Sequence, residues 1–145
     1  MHNYLSIDPG TKKCGLLLAD MESGEVIDAG ISSLKKLSEL VSMWNEDYDI
    51  LKIIIGDGTN SKYVENQLKL KNFLNIHFVN EEGSTIRARF RYWEIWPPNY
   101  LIRWVPKEIL FPPNNLDAIV ALILLEDFLK YSFTWPDNLD VKIWT

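Results

Sequence analysis

The spacing of apolar residues in this chain changes near Ser33, and that change limits the folds open to it more than any other feature. Before it, apolar residues come in short runs, Tyr4–Ile7, Cys14–Ala19 and Val26–Ile31. Apolar runs of this length between turn formers are the mark of buried strands. The connection DMESGE (Asp20–Glu25) supplies such turn residues, so the first three elements are expected to form an antiparallel meander. After Ser33, the residues Leu34, Leu37, Leu40, Val41 and Trp44 recur at helical spacing, with Lys35, Lys36 and Glu39 between them. Ser32 or Ser33 is the expected cap of that helix.

The rest of the chain alternates. Leu51–Ile55 is a fully apolar strand closed by the turn GDGTNS, and Tyr63–Phe73 reads as a helix. Asn75–Val79 is a short strand followed by NEEGST, and Thr85–Trp96 reads as a helix that Pro97 and Pro98 stop. From Trp93 to Pro113 the chain is dense in Trp and Pro and shows no period. Leu116–Tyr131 is a helix apolar on nearly all sides, which implies burial against the sheet. The segment from Trp135 to Thr145 adds an edge strand or lies loose. This order gives an α/β chain, with a mixed sheet and helices packed on it. In such sheets, sites gather at strand ends, where loops vary and helix N-termini point inward.

Composition narrows the function. With 145 residues, 47% of them hydrophobic, the chain is expected to form one domain over 1–145. A net charge of −5 argues against a general polyanion binder. It leaves open a nuclease whose acidic site is bridged to phosphate by metal ions. The one cysteine, Cys14, excludes an intramolecular disulfide and any C-x-x-C metal or redox motif. No basic start followed by a long apolar stretch marks a signal peptide, and the longest apolar run, Ala118–Leu125, is too short for a bilayer. A cytoplasmic protein without membrane attachment is the expectation.

Three carboxylates fall at element ends: Asp8 after the first strand, Glu81 after the strand NIHFV, and Asp117 in the first turn of the last helix. Two divalent ions about 3.5–4 Å apart, one activating water and one stabilising a leaving oxygen, need such oxygen ligands on rigid supports. Each residue also has a plainer role. Asp8 before Pro-Gly is good turn chemistry, Glu81 and its neighbour Glu82 could be solvated loop charges, and Asp117 could complement a helix N-terminus capped by Asn114 or Asn115. Residue pattern alone leaves both sets of readings open.

Four blocks carry a resemblance. SIDPGTKKCGLLLAD has a D-x-G-T-K-x-x-G pattern, IIIGDGTNS a Gly-ending strand, HFVNEEGSTIRAR a Glu after a strand, and LDAIVALILLEDFL an Asp-Ala start to a Leu-rich helix. In this order they resemble the YqgF family of RNase H-like nucleases, relatives of the RuvC Holliday-junction resolvases. The resemblance implies an RNase H-like fold, with a five-stranded mixed sheet whose first three strands are antiparallel, flanked by helices. It implies Asp8, Glu81 and Asp117 as catalytic, metal-binding acids, with Glu82 the substitute for Glu81 if the register slips. The cofactor implied is Mg2+ or Mn2+ in a two-metal site. The reaction implied is phosphodiester hydrolysis in structured nucleic acid, either Holliday junctions and other branched DNA or the ends of precursor 16S rRNA. A homodimer is a further expectation. The chain departs from the family pattern in NNLDA, which lacks a basic residue before the Asp, in EEG where Glu-Arg is more usual, and in the Trp-rich RYWEIWPPNYLIRW.

Around these acids, Gly10 allows a tight turn that puts Thr11, Lys12 and Lys13 near the expected metals, where one lysine could meet a phosphate; a solvated pair of hairpin charges is the competing role. Arg87 and Arg91 are i,i+4 neighbours on one helix face and are candidates for holding a phosphate backbone; a solvated face paired with Glu94 is the competing role. Trp93, Trp96 and Trp104 suit stacking on unpaired bases or, as more often, a core or dimer contact. Asp57 suits a turn better than a metal. The departures from the pattern motivate an alternative function, a nucleic-acid or ribosome-associated binding module with decayed catalysis. An actin-like phosphotransferase shares the first motif but requires a second Asp-x-Gly loop and a Gly-rich adenosine loop, neither of which is present.

Overall fold

A computed structural model describes residues 2–112 and 116–144. Its elements, in chain order, are β1 (Asn3–Pro9), β2 (Lys13–Asp20), β3 (Glu25–Ser33), α1 (Leu37–Tyr48), β4 (Ile50–Gly56), α2 (Ser61–Leu70), β5 (Ile76–Val79), α3 (Ser84–Ile95), α4 (Asp117–Leu129) and β6 (Lys142–Trp144). The sheet order is β5-β4-β1-β2-β3-β6. The first three strands pair antiparallel, as expected, while β4 runs parallel to β1, β5 to β4 and β6 to β3. The sheet therefore has six strands and not five, because the C-terminal segment supplies a short edge strand alongside Gly30–Ser32.

Strand alternation assigns the two faces. Leu5, Ile7, Leu16 and Leu18 meet α1 and α2 through Leu37, Val41, Trp44, Val64 and Leu68. Leu17, Ala19, Ala29 and Ile54 meet α3 and α4 on the opposite face. Residues Ala118–Leu125 of α4 are all buried, which is why its sequence has no polar stripe: the sheet covers one side and α3 much of the other. Among the described residues no helix is long and apolar enough to cross a membrane.

Some boundaries differ from the sequence expectation. Ser32 and Ser33 do not cap α1; they pair with Cys14 and Lys13 as the last residues of β3. The helix begins after a turn, at Leu37, with Lys36 in the N-cap position and no side-chain cap hydrogen bond. The Ser33 carbonyl accepts instead from the Lys36 N–H at 3.2 Å, in the turn that leads into α1, and the Leu34 N–H continues the ladder to the Lys12 carbonyl. Asn114 and Asn115, the expected caps of α4, lie outside the described residues. The unassigned stretch after α3 is a series of hydrogen-bonded turns.

Candidate metal centre

Asp8 is not a turn residue. It is the penultimate residue of β1 and pairs with Gly15 of β2. Its side chain leaves the sheet on the same face as Ser6, the face α4 covers. The turn proper, Gly10–Lys13, is closed by a 3.0 Å bond from the Gly10 N–H to the Lys13 carbonyl.

Gly15 brings Asp117 to Asp8. A Cβ on Gly15 would stand 1.9 Å from the Asp117 carbonyl oxygen and 2.9 Å from the Ala118 nitrogen. The first turn of α4 thus rests directly on the backbone of β2, beside the strand position that carries Asp8. Any side chain at position 15 would lift the helix start off the sheet.

Glu81 arrives from the other side. β5 pairs with β4 through Gly56 and Val79, so the chain after Val79 emerges over the end of β4. The Glu81 N–H donates to Asp57 Oδ1 at 3.3 Å, and its carboxylate lies on the loop glycines. A Cβ on Gly58 would fall 1.7 Å from Oε1, and one on Gly56 would fall 2.6 Å from Oε2 and 3.5 Å from the Pro9 ring. The Glu81 carboxylate and Pro9, the residue next to Asp8, therefore border one space over Gly56, which is too small for a methyl group. Oε2 is buried and accepts no hydrogen bond.

Electrostatics tie the three together. Burial, then the charges of Glu81 and Asp117, push the Asp8 carboxyl up to about 7. Burial and the charge of Asp57 also raise Glu81, against a Gly58 backbone bond that favours the anion. A cluster of carboxylates that cannot all ionise in comfort is a cluster short of positive charge. An orphaned buried oxygen on Glu81 points the same way. The donor set, all hard oxygens, suits Mg2+ or Mn2+. Among the described residues, no three His, Cys, Asp or Glu side chains converge closely enough to hold an ion by themselves.

The basic candidates divide. Lys12 and Lys13 are exposed on the β1–β2 turn, and among the described residues neither pairs with a carboxylate. Arg87 and Arg91 do share a face of α3, but that face is turned to α4. Arg91 donates to both Glu126 oxygens at 3.1 Å and to the Phe133 carbonyl at 2.7 Å, with its side chain 17% exposed. Arg87 donates to Asp127 at 2.6 Å and is more open, at 44%. Glu82 sits one residue beyond Glu81 and is exposed. Cys14 lies in the α1-side core, where burial pushes its thiol up to about 11, so it supplies no thiolate at neutral pH.

Two contributors were not singled out from sequence. Gly15 is the closing glycine of D-x-G-T-K-x-x-G, and its spacing of seven from Asp8 was the available signal. Asn60 has a left-handed backbone at φ 63° and donates through Nδ2 to the Gly10 carbonyl at 2.8 Å, tying the Lys12–Lys13 turn to the loop after β4. Nothing local in the sequence marks a contact spanning fifty residues.

No family model matches the sequence, and no curated protein matches it. Solved structures do. The Thermus thermophilus RuvC structure is 11% identical with a TM-score of 0.54, over 88% of this chain and 94% of that one. The large terminase nuclease from thermophilic phage G20c is 10% identical with a TM-score of 0.53, over 87% of this chain and 81% of that one. At such identities the likeness is one of fold, and the fold is RNase H-like: a mixed sheet, antiparallel through its first three strands, between two layers of helices.

Proposed function

We propose that this chain is a divalent-metal-dependent nuclease of the YqgF and RuvC kind, hydrolysing phosphodiester bonds in structured nucleic acid, either branched DNA or precursor rRNA ends. The observation that carries the reading is the placement of Asp8: a half-buried carboxylate at the end of the central strand, under the charges of Glu81 and Asp117. RuvC and the phage terminase nuclease, both of this fold, lend it support.

In this reading Asp8, Glu81 and Asp117 hold Mg2+ or Mn2+, which when bound supplies an activated water and charge stabilisation of the leaving oxygen. The chain's own residues do the rest. Gly15 seats the start of α4 so that Asp117 faces Asp8. Gly56 and Gly58 leave the volume that the Glu81 carboxylate fills. Asp57 holds the Glu81 backbone. Lys12 and Lys13, on a turn tied down by Asn60, meet the phosphates flanking the scissile bond.

Purified protein with Mn2+ is expected to cut branched DNA or precursor-rRNA ends, and Asp8→Asn to abolish cutting. Cleavage by the variant at the wild-type rate would remove Asp8 from the mechanism. A second reading, a binding module with decayed catalysis, is favoured by the lack of a closed three-ligand group among the described residues and by the EEG and NNLDA departures. Tight binding of these substrates with no turnover in either metal would establish it.

A further inference from the structure

The segment between α3 and α4 shows large side chains to solvent in an ordered array. Tyr100 is 68% exposed, Trp104 79% and Phe111 70%. This is not a loose loop. Ile102 N–H donates to the Asn99 carbonyl, Val105 to Ile102 and Ile109 to Pro106, at 2.9–3.1 Å. The Trp104 indole N–H donates to the Leu101 carbonyl at 2.8 Å, which leaves the ring faces outward and fixes their direction. The returning arm is pinned to α3: Trp93 Nε1 donates to the Leu110 carbonyl at 3.1 Å, Arg89 Nη1 to the Glu108 carbonyl at 3.3 Å, and the Arg89 guanidinium lies 4.4 Å from the centre of the Phe111 ring.

Cations lie among these rings. The chain carries −5 overall, yet residues 97–112 hold Arg103 and Lys107 against the single acid Glu108, with Arg89 beneath. Arg89, which holds the returning arm through Glu108 and Phe111, is five residues after Ser84, about 8 Å along the axis of α3 from the end nearest Glu81. Outward aromatic rings alternating with cations are what an unpaired strand recognises, since bases stack on the rings and phosphates meet the cations. A second copy of this acidic chain is the competing occupant, since its surface would also complement the cations; the sedimentation arm of the test separates the two.

We propose that the strap at residues 99–111 is a binding platform for unpaired nucleotides next to the metal centre, with Trp104 the principal stacking residue and Arg103 and Lys107 the phosphate contacts. This deepens the nuclease reading and rests on it for the substrate class: the preferred substrate has a single-stranded or splayed segment beside the cut. The test is fluorescence anisotropy of the full chain in EDTA, with a labelled mixed-sequence single strand and a blunt duplex of equal length. The wild type is expected to prefer the single strand. Trp104→Ala is expected to weaken that binding about 5- to 150-fold without changing its salt dependence, and Trp104→Phe to retain most of it. Arg103→Ala with Lys107→Ala is expected to lower the slope of log affinity against log salt by about 1.4, about 0.7 for each lost phosphate contact. Unchanged single-strand affinity in Trp104→Ala, in protein with a wild-type melting profile, overturns the proposal. So does a dimer that Trp104→Ala converts to monomer, by sedimentation, with affinity intact. If affinity falls as expected while the wild type turns over no substrate in Mn2+, the platform stands and only the nuclease reading fails.

Discussion

The arrangement of the acids predicts that Asp8→Asn stabilises the metal-free protein while destroying its activity. Asp8 keeps its proton up to about pH 7 when folded, against an ordinary value of 3.8. Between those limits the folded chain binds more protons than the unfolded one, so stability falls as pH rises. The contribution of the protonated carboxyl is complete below 3.8 and is lost as pH passes through about 7. At about 1.36 kcal/mol for each tenfold change in proton affinity, the ceiling is about 4 kcal/mol. Asp8 is half-buried, and partial solvation reduces this to about 1–3 kcal/mol. Asparagine keeps the shape and removes the charge. Urea or thermal unfolding in EDTA is the assay. At about pH 8 the variant is expected to be more stable by that amount, a rise in Tm of about 3–10 °C for a chain of this size, and the gap is expected to close at about pH 4. Adding Mn2+ should reverse the order, because binding to the native state stabilises only the wild type. A variant less stable than wild type at about pH 8, with an equal response to Mn2+, would mean that Asp8 is a structural hydrogen-bond acceptor and that the reasoning is wrong.

The glycines offer a paired test. Gly15→Ala is expected to lose several kcal/mol in urea unfolding together with all cleavage, because its methyl group would strike the backbone of α4, whereas Gly58→Ala meets only the mobile end of Glu81 and is expected to lose cleavage with stability changed by less than about 1 kcal/mol. Arg91→Ala, which strands Glu126 in a largely buried position, is expected to cost about 3 kcal/mol in the same assay; Arg87→Ala, at an exposed pair, is expected to cost about 1 kcal/mol or less.

Much of this molecule could be read from its sequence because its strongest local signals agree with its tertiary structure. The all-apolar stretch from Ala118 had to be buried on every side, and it is. The runs ending at Ile7 and Ile55 had to be interior strands, and they lie side by side. What escaped was set by contacts across the chain. Whether Ser33 caps a helix or ends a strand depends on Lys13 opposite it, which no window around Ser33 contains. The segment after Trp135 reads equally as an edge strand or a loose end, and it is the open edge of β3 that decides for the strand at Lys142–Trp144. Asp8, Glu81 and Asp117 could be named as candidates, but the approach of α4 to β2 depends on the missing side chain of Gly15, and the seat of the Glu81 carboxylate on those of Gly56 and Gly58. An absent atom leaves little trace in a residue pattern. The basic pair on α3 shows the converse: spacing put Arg87 and Arg91 on one face, and only the packed neighbour revealed that both are already paired with Asp127 and Glu126 of α4.

The helix that fills the core also carries one of the three acids. Every strand of the central sheet precedes α4 in the chain except β6, and until α4 docks, the apolar face of that sheet stays wet. Asp117 therefore reaches its partners at the same moment that the interior closes. Under the proposed nuclease reading this would be a safeguard: a nascent or partly unfolded chain would lack one of the three proposed ligands, so competence for hydrolysis and completion of the fold would arrive as one event.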